Sequence, residues 1–302
     1  MTSKGSSAIS SRPLDDLSTR IRARSQQSAE LHNVIVDCHT HLLPDRLASA
    51  VRRFFRDHGL AEFHYSLDHR EVLDRHHADG IDTVWNLPYA HKAEMARSLN
   101  ASMIEVSASL ADHPVDVVPG CTVHPDDSDP LADFNDAVEA GARVLKLHCS
   151  VGAYEADDPR LSDVLEAAGD RGVPVVIHAG HGVDGFTAAD ELAPIGRAAA
   201  QHRGTAIILA HFGHHAFEDA VELLGEHPNL VADLTPVTFS PVPITADIAN
   251  RYADRILFGS DAPNTGHPAS HLLDLLRSTG ASEATLESIC SSNARRLTSA
   301  TA

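Results

Sequence analysis

Eight short apolar, β-branched runs recur along this chain, separated by longer amphipathic stretches, and they limit the folds open to it. They are NVIVDC at 33–38, IDTVWNLP at 81–88, VDVVPGCTV at 115–123 and ARVLKLHC at 142–149, then VPVVIHA at 173–179, TAIILAH at 205–211, NLVADLT at 229–235 and RILFGSD at 255–261. Helical patterns lie between them, among them PRLSDVLEAAGDRG at 159–172 and AFEDAVELLGEH at 216–227. Strands that alternate with helices pair in parallel through crossovers. Eight such units in about 270 residues fit an α/β fold of one kind, a closed (β/α)8 TIM barrel. An open doubly wound sheet is the alternative. No Gly-rich phosphate loop follows any of the runs, which argues against that fold and against nucleotide binding.

A last helical stretch, 282–298, carries Leu286, Ile289 and Leu297 on its apolar side and reads as a C-terminal helix closing the barrel. Residues 31–302 therefore read as one barrel domain. Residues 1–30 are rich in Ser and Arg and read as a flexible N-terminal extension, with room for a short helix from Leu14 to Ala29.

In barrels of this type the chemistry sits at the C-terminal ends of the strands. The polar residues of this chain collect there. His39 and His41 end the first run, and side chains two apart on a strand point the same way. His178 ends the fifth run, His211 the sixth, and Asp261 follows the eighth. Taken singly, each has a plain reading, since the chain holds 21 histidines and an aspartate after a strand can cap a helix. Five in register at one rim point instead to a metal site, because imidazoles and a carboxylate suit zinc with an open position left for water.

DCHTHLLP, VLKLH, VIHAG, AHFG followed by HPNLVADL, and YADRILFGSDAP together resemble the amidohydrolase superfamily over about residues 33–298. The similarity is to the branch that includes aminocarboxymuconate semialdehyde decarboxylase and related hydrolases. By position, the resemblance implies that His39, His41, His178 and Asp261 hold a divalent metal. It also implies that Asp261 doubles as the acceptor of a proton from the activated water. His211 matches a histidine that contacts the reacting water or substrate in single-metal members and binds a second ion in two-metal members. Lys146 matches a strand-4 lysine that becomes carboxylated and bridges two ions in the latter. It is one of only three lysines, with Lys4 and Lys92, against 21 arginines. A single metal is the expectation here, with Lys146 and His211 as ligands of a second ion if one binds.

Around these lie lesser candidates. His148, His181, His214 and His215 could reach the rim. Trp85 and Tyr89 could line a pocket, although Trp85 reads equally well as core. Arg46, Arg52 and Arg53 could meet a substrate carboxylate, or could form a solvated helix face.

The expected function is hydrolysis of a small-molecule amide, ester, lactone or related bond. A metal-dependent nonoxidative decarboxylase is the alternative on the same site. A catalytically silent barrel that only binds a partner is the third reading, and the full set of ligand types argues against it. A formal net charge of −18 argues against nucleic-acid partners. No run approaches the ~20 apolar residues of a membrane span, and the first 30 lack the apolar centre of a secretory signal. Cys38, Cys121, Cys149 and Cys290 have neither disulfide-framework nor zinc-finger spacing, as expected of reduced thiols in the cytoplasm. A small-molecule substrate is the expected partner, and relatives that dimerise leave a homodimer open.

Overall fold

All eight runs form strands, and the strands pair in sequence order β1 to β8, every neighbouring pair parallel. A computed structural model describes residues 34–58, 62–180, 187–236 and 241–299. The extension read over 1–30 lies outside them. The strands are β1 Val36–Thr40, β2 Thr83–Asn86, β3 Asp116–Cys121, β4 Val144–Leu147, β5 Val175–Ile177, β6 Ile207–Leu209, β7 Leu230–Asp233 and β8 Ile256–Leu257. Backbone bonds close the ring between the first and last: Cys38 N donates to Phe258 O at 2.9 Å, Asp261 N to His39 O at 2.9 Å and His41 N to Ala262 O at 2.7 Å. The architecture is the (β/α)8 barrel expected from the alternating pattern.

Most strands are shorter than their apolar runs, because the last residues of each run leave the ladder and turn over the rim. β1 is the exception. It extends through Thr40, with an irregular register between Asp37 and Thr40. His39 is thus held inside a strand, and His41 lies just past its end.

Besides a single turn at Cys149–Gly152, the helices between strands are α1 Asp45–Asp57, α2 His69–Ala78, α3 Ala96–Ser109, α4 Pro130–Glu139, α5 Ser162–Asp170, α6 Ala188–Gln201, α7 Phe217–Glu226 and α8 Ala246–Arg251, with α9 Ala269–Ser278 after β8. Several begin where a short polar side chain satisfies orphan backbone donors. Asp68 accepts from Glu71 N, Asp129 from Ala132 N with Pro130 behind it, and Thr187 forms a reciprocal box with Asp190. Outward-facing strand residues such as Leu145, Leu147, Ile177 and Leu209 pack beneath the helices in one continuous core. Each fully buried residue of this size contributes about 1.5–3 kcal/mol. The C-terminal stretch forms α10 Glu283–Glu287, a π turn Ser288–Ser292 and α11 Asn293–Ser299. Ile289 is fully buried and its carbonyl accepts from Phe258 N, tying this stretch to the residue after β8. Among the described residues no helix is long and apolar enough to cross a membrane.

Candidate metal centre

The strand that carries the histidine pair is fastened before it reaches them. Asp37 is fully buried; its Oδ1 accepts from His39 N and Ser260 N, and its Oδ2 pairs with His76 Nε2 at 3.0 Å. Past the pair, the Asn86 side chain exchanges two bonds with the backbone of Leu42, at 2.7 and 3.1 Å. His39 and His41 therefore leave β1 from a backbone fixed on both sides, with ring centres 5.1 Å apart.

Each ring is then turned by its outer nitrogen. His39 Nδ1 lies 2.9 Å from Asp233 Oδ2, and His41 Nδ1 lies 2.6 Å from the Leu87 carbonyl. Those acceptors hold the proton on Nδ1, so both Nε2 lone pairs face inward. His41 Nε2 meets Asp261 Oδ1 at 3.2 Å. Donor atoms of His39, His41 and Asp261 all lie within 4.8 Å of one another. Two neutral imidazole nitrogens and a carboxylate, preset by their outer partners, fit a divalent cation that prefers nitrogen and oxygen ligands.

His178 and His211 form a second group beside the first. His211 Nε2 is 3.1 Å from His178 Nδ1, and the His211 ring centre is 5.1 Å from that of His39. This part of the rim is strained. His211, Phe212 and His214 have φ of 58°, 44° and 24°, in the left-handed region that L side chains avoid at a cost of about 1–3 kcal/mol each. Asp233 holds the turn through Oδ1, which accepts from His211 N and Thr235 N. Asp261 also sits at positive φ, 63°. Gly180 explains how the β5 and β6 loops come so close: a Cβ there would lie 2.5 Å from the Gly213 carbonyl carbon.

Lys146 points into the barrel from β4, fully buried, with Nζ 3.2 Å from His39 Nε2. Burial pushes its ammonium down to about 8, against the opposite pull of Asp233 and Asp261. Between that value and the ordinary 10.5, the unfolded chain carries a proton that the folded chain lacks, so stability rises with pH across the window. Below pH 8 both states are protonated and the full penalty, about 3 kcal/mol, is present. The metal-free Lys146→Met variant is therefore expected to melt above wild type at pH 7 and to lose that advantage toward pH 10. Equal melting temperatures at both pH values would contradict this.

The lesser candidates divide. His148 stacks on His178 with ring centres 3.8 Å apart, and Tyr89 packs edge-on to His41 at 5.6 Å. Both border the centre. Trp85 is buried in β2. His214 and His215 lie in the turn before α7, and His181 falls outside the described residues. Arg52 is a correction, being neither on a solvated face nor free to meet a substrate. Arg52 is buried and donates to the carbonyls of Tyr65 and Pro263, with its guanidinium 3.9 Å from the Phe63 ring centre. It braces the loop after β8 and does not present a cation to a substrate. Arg46 and Arg53 lie exposed on α1.

Reading the residues alone missed Asp37, Asp233 and Glu191. Glu191, on the first turn of α6, is buried; its Oε2 accepts from Gly180 N at 2.9 Å, and burial pushes its carboxyl up to about 7.

Among solved structures, the chain is similar to an uncharacterised TIM-barrel protein from Bordetella bronchiseptica, at 19% identity and TM-score 0.69, covering 88% of this chain and 99% of that one. It is also similar to N-isopropylammelide isopropylaminohydrolase from Burkholderia multivorans, at 16% identity and TM-score 0.56, covering 87% and 74%. A D-hydantoinase aligns at 13% identity and TM-score 0.58, covering 87% and 70%. At these identities the likeness is one of fold. Comparison with curated proteins gives no match. The family model described as amidohydrolase matches residues 36–297.

Proposed function

Because the chain belongs to the amidohydrolase family, we propose that it is a metal-dependent hydrolase of a small molecule, with one zinc ion held by His39, His41, His178 and Asp261. The observation that carries this reading is the convergence of two preset imidazole nitrogens and a carboxylate within 4.8 Å at the C-terminal rim of the barrel. When bound, a divalent cation polarises a substrate oxygen and lowers the pKa of water to about 7, making it a nucleophile near neutrality.

The chain's own groups do the rest. Asp261, its carboxyl raised by burial, collects the proton of the attacking water and returns it to the leaving group. His211 gives its Nδ1–H toward the Thr235 carbonyl at 3.3 Å, which leaves Nε2 as an acceptor that aims the water. Burial pushes the imidazolium form of His211 well out of reach, so it stays neutral. Tyr89 and His148, half-buried against His41 and His178 and 5.1 Å apart between ring centres, are the side chains this reading places beside the substrate.

Hydrolysis of an amide, ester or lactone is favoured over decarboxylation by the arginines. A departing carboxylate needs a cation beside it, and Arg52 is committed to backbone carbonyls while Arg46 and Arg53 face solvent. In this reading a single ion binds, and Lys146, whose Nζ lies 3.2 Å from the inward nitrogen of His39, gives up that contact to the ion and stays an unmodified amine beside it. We assign the enzyme to the cytoplasm, where its four unpaired cysteines stay reduced.

The test is to load the protein with zinc and offer small esters, lactones and cyclic amides, with aromatic carboxylic acids in parallel and carbon dioxide monitored. Acid production from the first set, abolished by chelation, is expected. Release of carbon dioxide without hydrolysis would assign the site to the lyase chemistry instead.

A further inference from the structure

Six side-chain rings form a closed collar at the C-terminal rim of the barrel. Their centres lie 5.1 Å apart from His39 to His41, 5.6 Å from His41 to Tyr89 and 5.1 Å from Tyr89 to His148. The circle continues at 3.8 Å from His148 to His178, 4.8 Å from His178 to His211 and 5.1 Å from His211 back to His39. Four of the six are assigned above to the cation or to the attacking water. Tyr89, after β2, and His148, after β4, complete the circle with no chemical task of their own.

The backbone that carries Tyr89 is fixed on both sides. Leu87 N donates to Thr40 O at 2.8 Å, the Leu87 carbonyl holds His41 Nδ1, and Ala90 N donates to Thr122 Oγ1 at 3.3 Å. The Tyr89 ring stands edge-on to His41, the residue whose Nε2 meets the Asp261 carboxylate. Its hydroxyl has no hydrogen-bond partner among the described residues and is not buried, whereas the unpartnered Nδ1 of His148 is shut away from any ligand. A tyrosine, with an ordinary pKa of about 10, carries its proton at neutral pH. Tyr89 therefore presents a positioned, unused O–H donor beside the proton acceptor.

The reaction has a use for one. When water adds to a carbonyl carbon, the π electrons of the C=O bond move onto oxygen, and donors aimed at that oxygen lower the barrier. Asp261 and His211 both act as acceptors in the reading above, so neither can serve. We propose that Tyr89 is a catalytic residue whose phenol donates a hydrogen bond to the substrate carbonyl oxygen and holds the charge that develops there. The attacking water gives its proton to Asp261. The electron pair returns from oxygen as the bond to the leaving group breaks, and Asp261 passes that proton to the departing nitrogen or oxygen. The phenol keeps its own proton throughout. This inference rests on the hydrolase reading above.

The test compares zinc-loaded wild type with Tyr89→Phe, using phenyl acetate as the substrate probe and phenyl methylphosphonate as a stable mimic of its tetrahedral adduct. Because the hydroxyl has no partner to lose, the variant should match wild type in metal-free melting temperature and in zinc affinity by chelator competition. The kcat for the ester is expected to fall about a hundredfold with KM little changed. The phosphonate, followed by calorimetry, should bind more weakly by about the same factor. A structural role alone would instead lower the melting temperature or the zinc affinity. If wild type hydrolyses the ester and Tyr89→Phe matches it in both kcat and phosphonate binding, this inference falls while the hydrolase reading stands. If zinc-loaded wild type neither hydrolyses the ester nor binds the phosphonate, both fall.

Discussion

Asp261→Asn is expected to lower hydrolytic turnover by about a thousandfold at matched zinc content. The substitution keeps the size of the side chain and removes the base. General-base contributions run to about 10²–10⁴-fold, and enclosure beside His41 places this group toward the upper part of that range. The proton moves only as the reaction proceeds, so kcat and kcat/KM should fall together while KM changes little. Steady-state kinetics on the variant checks this. Turnover within about tenfold of wild type would remove Asp261 from the role of proton acceptor.

His39→Ala should have the second largest effect, and it separates two contributions. Zinc binding should be lost, because one of the inward nitrogens is gone. The metal-free protein should also lose about 3 kcal/mol of stability, since the buried Asp233 carboxylate loses the N–H that the neutral His39 ring gives its Oδ2. His41→Ala offers the contrast. Its outer nitrogen faces a neutral carbonyl, so that variant should lose zinc equally but only about 1–3 kcal/mol of stability. Denaturant unfolding of the two metal-free variants gives the comparison. Equal stabilities would show that the charged acceptor Asp233 depends on its imidazole donor no more than the Leu87 carbonyl does.

The second of these effects turns on Asp233, an acid that local sequence could not reveal. The barrel itself was legible because eight β-branched runs, each bounded by turn and helix signals, carry the whole topology in their order. The rim residues were legible for the same reason: once a strand is placed, the residues past its C-terminal end face the site. His39 and His41 could be paired from their spacing alone. Asp233 could not be paired with His39, because the contact spans 194 residues and an aspartate closing VAD on β7 resembles any polar strand end. Glu191 reads as an acidic residue in the first turn of α6, where such residues are common, and only the close approach of the β5 and β6 loops shows which way it faces.

Arg52 is the instructive error. A cation on a helix near a metal site suggests a carboxylate receptor, and charged residues on helices ordinarily face solvent. Yet Arg52 follows Ala48 by one helical turn, and these two are the buried residues of α1. Helical periodicity therefore held the signal that Arg52 turns inward. Its partners, the carbonyls of Tyr65 and Pro263, lie 13 and 211 residues away and have no signature in sequence.

The most direct test of the metal centre is elemental analysis of protein purified without chelator, then repeated after zinc is supplied. About one equivalent per chain is expected, lost in His39→Ala and His178→Ala. A wild-type chain that holds no metal even after zinc is supplied would contradict the metal centre.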